Sequence, residues 1–140
     1  MNQTEENHRI KQLKNQVVCP VEFALRILGG KWRGSILYQL KDGPLRFNEL
    51  KHNVQCAAID YEGADNYLTN KVLSGHVKEL TEFRLVEKHI NLEGNTVYQL
   101  SVAGKAMIPI LLELFDWGEH LMRLPNGNHF LENDVIALRE

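Results

Sequence analysis

The sequence predicts a mainly helical α+β fold, and three of its patterns lead to that prediction. Apolar residues recur at intervals of three and four in five separate segments, which is the spacing of one helix face. Two short runs rich in β-branched residues follow the fourth segment and flank a turn sequence, which predicts a hairpin. At 140 residues the chain is long enough for one domain with a buried core.

The first two predicted helices lie in residues 19–40 and are separated by Gly29-Gly30, whose backbone freedom suits a sharp junction. Both helices have an apolar face at helical spacing. That of the first consists of Val21, Ala24, Leu25 and Leu28, and the inner face of the second consists of Trp32, Ile36, Leu37 and Leu40. Residues 1–16 are polar and are expected to form an N-terminal arm.

The third helix follows the turn at Gly43-Pro44, and the fourth begins after a polar loop. Phe47, Leu50 and Val54 give the third helix its inner face, and we expect it to continue to residue 58 and a loop to span residues 60–66. Thr69 is suited to cap the fourth helix. The inner face of that helix is Leu73, Val77 and Leu80, and its outer face is Asn70, Lys71, Ser74, Gly75 and Lys78.

A hairpin and a long helix complete the pattern. Residues 85–90 and 96–100 are the two predicted strands, with a turn at 91–95, and Ser101 is suited to cap a helix from 102 to about 122. That helix is apolar on more than one face, which is typical of a helix that packs on its own domain and on a second chain. We therefore expect a homodimer, with an interface that includes Leu111, Leu114, Phe115, Trp117 and Leu121.

Four helices, a hairpin and a long helix are the order of elements in a winged helix-turn-helix. The prediction is a two-stranded wing with N- and C-terminal dimerisation helices. Residues 17–122 would form this domain, after the arm at 1–16 and before a partly helical tail at 123–140.

Several segments also resemble the HxlR family of bacterial transcription regulators, relatives of the MarR group. The similar segments cover residues 19–121 and read CPVEFALRILGGKWRGSILYQL, GPLRFNELKHNV, LTNKVLSGHVKELTEFRLVEK, VYQLSVAGKAMIPIL and LFDWGEHL. The resemblance implies a homodimer that binds a palindromic operator near promoters and responds to a chemical or redox cue.

The resemblance also implies roles for single residues. Cys19 matches the N-terminal cysteine that redox-sensing members use as their sensor, and Lys71 matches a basic residue of the recognition helix. Arg46 and Phe47 match the pair that opens the third helix. The chain departs from the family pattern in residues 54–68, which are longer than usual, and at Arg84, where a glycine is expected.

The predicted function is sequence-specific binding of double-stranded DNA. Major-groove recognition needs a helix whose outward side chains donate to and accept from base edges. We expect Asn70 and Lys71 to reach bases, and Ser74 and Lys78 to contact bases or phosphate. Phosphate contacts are expected from other polar residues on the first three helices and the wing. These are Lys31, Arg33, Arg46, Lys51, Lys88, His89 and Asn95.

The two cysteines are candidate redox sensors. Cys19 precedes Pro20 at the start of the first helix, where the positive end of the helix dipole favours the reactive thiolate. Cys56 lies near the end of the third helix, and we hypothesise a disulfide between Cys19 and Cys56 of the partner subunit. Bridging requires Cα atoms within about 7 Å. His52 and Cys56 have the spacing of two metal ligands on a helix, but no third ligand is evident, so no metal site is predicted.

Composition limits the other classes of function. The formal net charge is −2, and six acidic residues from position 113 onward account for this balance, so a locally basic middle remains compatible with DNA. No apolar run is long enough for a membrane span, the N-terminus has no signal-peptide pattern, and two widely spaced cysteines favour a cytoplasmic location.

An enzyme is not predicted, because there is no phosphate loop, nucleophile elbow or pair of catalytic carboxylates, and no cofactor motif. One alternative is a winged-helix module that binds protein, which the net acidity and the acidic residues within 60–65 favour. Another is a regulator that responds to a small molecule without thiol switching. Affinity for duplex DNA that falls steeply with salt distinguishes a DNA-binding module from a protein-binding one.

Overall fold

The computed structural model describes residues 19–63 and 67–124. Within them the elements are α1 (Pro20–Leu28), α2 (Arg33–Gln39), β1 (Leu45–Arg46), α3 (Phe47–Glu62), α4 (Asn70–Glu82), β2 (Val86–Ile90), β3 (Thr96–Leu100) and α5 (Val102–Arg123). The predicted mainly helical α+β fold is confirmed. The arm at 1–16 and the tail from 125 onward lie outside the described residues. No described helix is long and apolar enough to cross a membrane.

The junction of α1 and α2 has the predicted conformation. Gly30 has a φ of 108°, in the left-handed region that favours glycine. The inner face predicted for the second helix is confirmed, because Trp32, Ile36, Leu37 and Leu40 are all buried. Trp32 itself lies at the N-cap, and the helix begins at Arg33.

The apolar face predicted for α1 is exposed in the single chain. None of the α1 residues is buried, and Val21 and Leu25 expose 67% and 60% of their surface. Ala24 is also exposed, whereas Leu28 is half-buried. The apolar spacing is helical as predicted, but the chain's own core does not cover this face.

Helix α3 is longer than predicted. It extends from Phe47 to Glu62, so the loop expected at residue 60 begins instead at Gly63, whose φ is 93°. The backbone N–H of Gly63 donates to the Ile59 carbonyl at 3.0 Å, so helical hydrogen bonding continues to this residue. Leu50 and Val54 are fully buried, as their spacing predicted, and Phe47 is half-buried with its ring edge-on to Tyr98.

The sheet has three strands, not the two predicted. β1 is only two residues long and pairs antiparallel with β3, which also pairs with β2 in the order β1-β3-β2. The hairpin register places Val86 opposite Leu100 and Ile90 opposite Thr96. A strand of two residues shows no alternation, so the sequence pattern gave no signal for it.

The core is formed by the inner faces of α2, α3 and α4 together with one side of the sheet. Leu73, Val77 and Leu80 of α4 are buried, which confirms the inner face predicted for the fourth helix. Burying one such side chain stabilises the fold by about 1.5–3 kcal/mol, so these residues hold α4 firmly against the core.

The start of α5 is attached to the base of the wing. Ser101 Oγ donates to the carbonyl of Arg84 and accepts from the amide of Gly104, so Ser101 caps the helix as predicted. A Cβ at Gly104 would lie 2.2 Å from the Leu85 carbonyl oxygen, so only glycine fits there. Arg84 has a φ of 64°, which explains why a glycine is expected at this position.

The chain divides into two compact units, and the boundary falls inside α5. The first unit extends to Lys105 and contains the sheet and helices α1 to α4. The second begins at Ala106, and its described part is the remainder of α5.

Candidate nucleic-acid interface

The outward face of α4 carries the polar side chains predicted to contact bases. Asn70, Lys71, Ser74 and Lys78 are all exposed, and we call them the α4 recognition surface. At about 100° per residue, the four positions fall within an arc of about 100° on the helix. The buried apolar residues Leu73, Val77 and Leu80 lie outside this arc. The hydrogen-bond donors and acceptors of these side chains therefore lie on one narrow face of α4, as a helix that enters the major groove requires.

The start of α4 is held by two side chains. Thr69 Oγ1 accepts a hydrogen bond from the amide of Val72 at 3.2 Å, as its predicted role of N-cap requires. Gln55 of α3 accepts from the amide of Leu68, whose side chain is buried. Tyr67, just before these residues, is 82% exposed beside the recognition surface. Sequence analysis did not select it, because an aromatic residue gives no indication of exposure.

Three of the cations predicted to contact phosphate lie in or before α2 and α3. Arg46 at the N-cap of α3 is exposed, and its Nε and backbone N–H both donate to Glu49 Oε1, at 3.1 and 2.9 Å. These bonds, the backbone one first, lower the pKa of the Glu49 carboxyl. Lys31 is exposed with its ammonium 5.0 Å from the centroid of the Trp32 ring, and Lys51 is half-buried. Their phosphate contacts stay predictions.

The wing presents its predicted polar residues unevenly. Lys88 and His89 are exposed on β2, whereas Asn95 is half-buried in the turn. The side-chain oxygen of Asn91 accepts from the amides of Glu93 and Asn95, at 3.0 and 2.9 Å. The wing tip therefore has a defined conformation, and Lys88 and His89 are the wing residues best exposed for a phosphate.

Arg33 is not where the sequence prediction placed it. The side chain is only 8% exposed, so the interpretation as a surface phosphate contact is corrected. Its Nε donates to His76 Nδ1 at 3.1 Å, one Nη donates to the Ile27 carbonyl at 2.8 Å, and the other forms an ion pair with Glu79. The guanidinium thus joins the end of α1 to the middle of α4. Glu79 of α4 is its partner in the ion pair.

His76 is the titratable group of this cluster. It is half-buried, and burial lowers its pKa below the usual value, with a further lowering by the positive charge of Arg33. Because Nδ1 accepts the hydrogen bond from Arg33, the neutral imidazole carries its proton on Nε2. The neutral form is the one that fits this contact.

Both cysteines are exposed, and they form no disulfide with each other within the chain. Cys19 occupies the N-cap position of α1, as predicted. The Cys56 sulfur on α3 lies 3.6 Å from His52 Nε2. Among the residues that the structure describes, no group of three or more His, Cys, Asp and Glu side chains is placed to hold a metal ion.

The residues predicted for the dimer interface are accessible. Leu114, Phe115, Trp117 and Leu121 are exposed, Trp117 at 52%, and Leu111 is half-buried. Large apolar side chains in a row on one helix are unusual on a surface that faces water alone.

These features are those of a winged helix-turn-helix, and a family model matches residues 27–125 of the chain. The model is that of the HxlR-like helix-turn-helix. The chain belongs to the HxlR family. The family consists of transcriptional regulators, so this chain is a transcriptional regulator and not an enzyme.

Among the relatives of this HxlR member is YybR of Bacillus subtilis, an uncharacterized HTH-type transcriptional regulator. The two are 33% identical over 107 residues, which cover 75% of this chain and 77% of YybR. YodB of the same organism, an HTH-type transcriptional regulator, is 29% identical over 105 residues, or 73% of this chain and 84% of YodB.

Solved structures of similar regulators have the same fold. The redox regulator HypR in its oxidized form superimposes with a TM-score of 0.58 and 30% identity, over 81% of this chain and all of HypR. The reduced form of YodB gives a TM-score of 0.59 and 28% identity, over 76% of this chain and 97% of YodB.

Proposed function

We propose that this HxlR member is a homodimeric regulator that binds a palindromic operator and is switched by oxidation or electrophilic modification at Cys19. The observation on which the proposal depends is the α4 recognition surface. A helix with one buried side, a capped start and an exposed strip of amide, hydroxyl and ammonium groups is suited to base edges.

The charge arrangement supports phosphate contacts beside that helix. Lys31, Arg46, Lys51, Lys88 and His89 would position the protein on the DNA backbone, whereas Arg33 would not. Asn95 is a weaker candidate, because it is half-buried in the turn.

The homodimer is supported by the exposed apolar side chains of α5. In a dimer, Leu114, Phe115, Trp117 and Leu121 would be removed from water, together with Leu111. A two-fold dimer presents two recognition helices to two half-sites, about 34–36 Å apart for one turn of DNA, which is why the proposed operator is palindromic.

The thiol switch is supported by the exposure of Cys19 and by redox regulators among the structural relatives. A disulfide between Cys19 and Cys56 of the partner subunit would release two protons and two electrons. A two-electron oxidant such as hydrogen peroxide would take these up to form water. The bond would couple the start of α1 to α3 of the partner subunit.

The experiment that tests this function is binding to the DNA upstream of the protein's own gene, with reduced protein and after mild peroxide treatment. We expect specific binding by reduced protein, and altered binding after oxidation in wild type but not in Cys19→Ser. On non-reducing gels, wild type should run as a dimer after oxidation. Cys56→Ser is the companion variant, which separates disulfide formation from modification of Cys19 alone.

The alternatives correspond to other results of the same experiment. Specific binding that is the same before and after oxidation would support a DNA-binding regulator without a thiol switch. The effector would then be a small molecule. Absence of specific binding in both states, with no salt-dependent affinity for duplex DNA, would contradict the proposal and favour the protein-interaction module.

A further inference from the structure

The contacts of Arg33 join three helices at one buried guanidinium. Arg33 itself begins α2, its bond to the Ile27 carbonyl reaches the last turn of α1, and its contacts to His76 and Glu79 reach α4. The last four carbonyls of a helix have no partner within the helix, so Arg33 supplies one that α1 lacks. A cation is also favourable at that end of the helix dipole.

The α4 side of this cluster lies on one flank of the helix. His76 and Glu79 are three residues apart, so they lie one above the other, between the buried leucines and the outer face. Apolar packing of the buried residues holds α4 against the core. The two directed, charge-assisted contacts to Arg33 act on one flank of the helix, so they further restrain its rotation about its axis.

Rotation of α4 matters for base recognition because hydrogen bonds tolerate little displacement. A side-chain tip about 5–6 Å from the helix axis moves by about 2 Å when the helix rotates by about 20°. A donor and acceptor at about 3 Å lose their bond with such a shift. Contacts with phosphate suffer less, because charges attract over a longer range.

We propose that Arg33 is a positioning residue for operator recognition, which fixes the rotation of α4 against the end of α1 and contacts no DNA itself. The proposal rests on the proposed function of the α4 recognition surface. Its consequence is that Arg33 contributes to sequence specificity while contributing nothing to the number of phosphates neutralised.

The test compares wild type with Arg33→Lys and Glu79→Gln in the full-length chain. A lysine cannot donate to three separate acceptors in the fixed geometry of a guanidinium, and Glu79→Gln removes the ion pair but keeps the shape. Glu79 is about one-third exposed, so this variant is expected to fold even if Arg33→Lys does not. The affinities for operator and for unrelated duplex are measured over a range of salt concentrations.

We expect the ratio of specific to non-specific affinity to fall by about tenfold in both variants, the effect of roughly one mismatched base pair. The salt dependence should stay that of wild type. The matched controls are Arg123→Lys and Glu119→Gln, because these residues form an exposed ion pair on α5. The controls should leave the ratio unchanged.

Three results would overturn the proposal. A salt slope reduced by about 0.9 in a further variant, Arg33→Gln, which removes the positive charge, would show that Arg33 neutralises a phosphate directly. A lower melting temperature with unchanged affinities of the folded protein would show a role in stability alone. Lack of any specific binding by wild type would remove the proposed function as well, whereas the first two results leave that function standing.

Discussion

Helices α4 and α5 differ in what they present to water. On α4, Leu73, Val77 and Leu80 are buried in the chain's own core, and the recognition surface is polar. On α5 the pattern is reversed, because Ile110, Leu114, Phe115 and Trp117 are exposed. Helix α1 resembles α5 in this respect, since none of its residues is buried.

The difference separates two kinds of surface. Helix α4 is complete within one chain, so its exposed face is available to a polar, charged partner such as DNA. Helices α1 and α5 leave apolar surface uncovered, which costs free energy in water unless a second apolar surface covers it. The surface proposed to recognise DNA would thus be formed by the fold of one chain, whereas the apolar surfaces of α1 and α5 would be covered only when two copies assemble.

The largest effect is expected where the apolar face of α5 is disrupted. Trp117→Asp puts a charge into the proposed interface and should weaken the dimer by about 3–4 kcal/mol, or roughly 100- to 1,000-fold. Sedimentation equilibrium measures the dissociation constant. Asp116→Ala is the control, since about 100° per residue places that exposed position away from the apolar row. A dissociation constant that Trp117→Asp leaves unchanged would contradict the proposal that the apolar face of α5 forms the dimer interface.

A smaller effect is expected on α4. Lys71→Ala removes a side chain proposed to reach bases and should cost about 1–3 kcal/mol of specific binding. Fluorescence anisotropy with operator and scrambled duplexes measures this loss of affinity. The control is Lys41→Ala, because Lys41 forms an ion pair with Asp42 and lies outside the proposed interface. The oligomeric state should not change. Equal losses on both duplexes would mean that Lys71 contacts phosphate and not bases.

The cap of α4 should contribute about 1 kcal/mol to stability. Thr69→Ala loses the hydrogen bond to the Val72 amide, while Thr69→Ser keeps the hydroxyl. In urea unfolding, the free energy of unfolding of Thr69→Ala should be lower than that of wild type by this amount. That of Thr69→Ser should be close to wild type. If alanine and serine behave alike, the cap does not stabilise the helix.

The smallest effect is expected from the protonation of His76. Its pKa is lowered in the folded chain, so between that pKa and about 6.5 the unfolded chain binds more protons. The contribution of His76 to the free energy of unfolding should therefore be complete above this window. It should decrease as the pH falls through the window. The other histidines also titrate, so the measurement is the difference between wild type and His76→Gln in urea unfolding at several pH values. His76→Gln should show the weaker pH dependence.

Periodicity predicted the parts of the fold that depend on local pattern. The buried faces of α2 and α4 follow directly from residues such as Ile36, Leu37 and Leu73. The faces of α1 and α5 follow a helical pattern too, but a pattern cannot say whether the covering surface belongs to the same chain. Val21 and Leu25 were predicted to share one helix face, and both are exposed in the single chain.

The candidate site was predictable only in part, for a reason of distance along the chain. The outward residues of α4 follow from the helix alone, so Asn70 and Lys71 were found. Arg33 looks like a surface cation by composition, and its partner His76 is 43 residues away. A buried arginine depends on partners that only the tertiary fold brings together, and β1 likewise exists only through its pairing with β3.

The left-handed backbone of Arg84 lowers the stability of the folded chain. A non-glycine residue in this conformation costs about 1–2 kcal/mol, which glycine avoids. Among the described residues, Arg84 is the only non-glycine residue with a positive φ. Arg84→Gly should therefore stabilise the domain, which thermal unfolding would show. Proteins tolerate new substitutions in proportion to their surplus of stability. A variant with glycine at 84 is thus the background in which the recognition surface would best accept the destabilising changes that a new operator sequence demands.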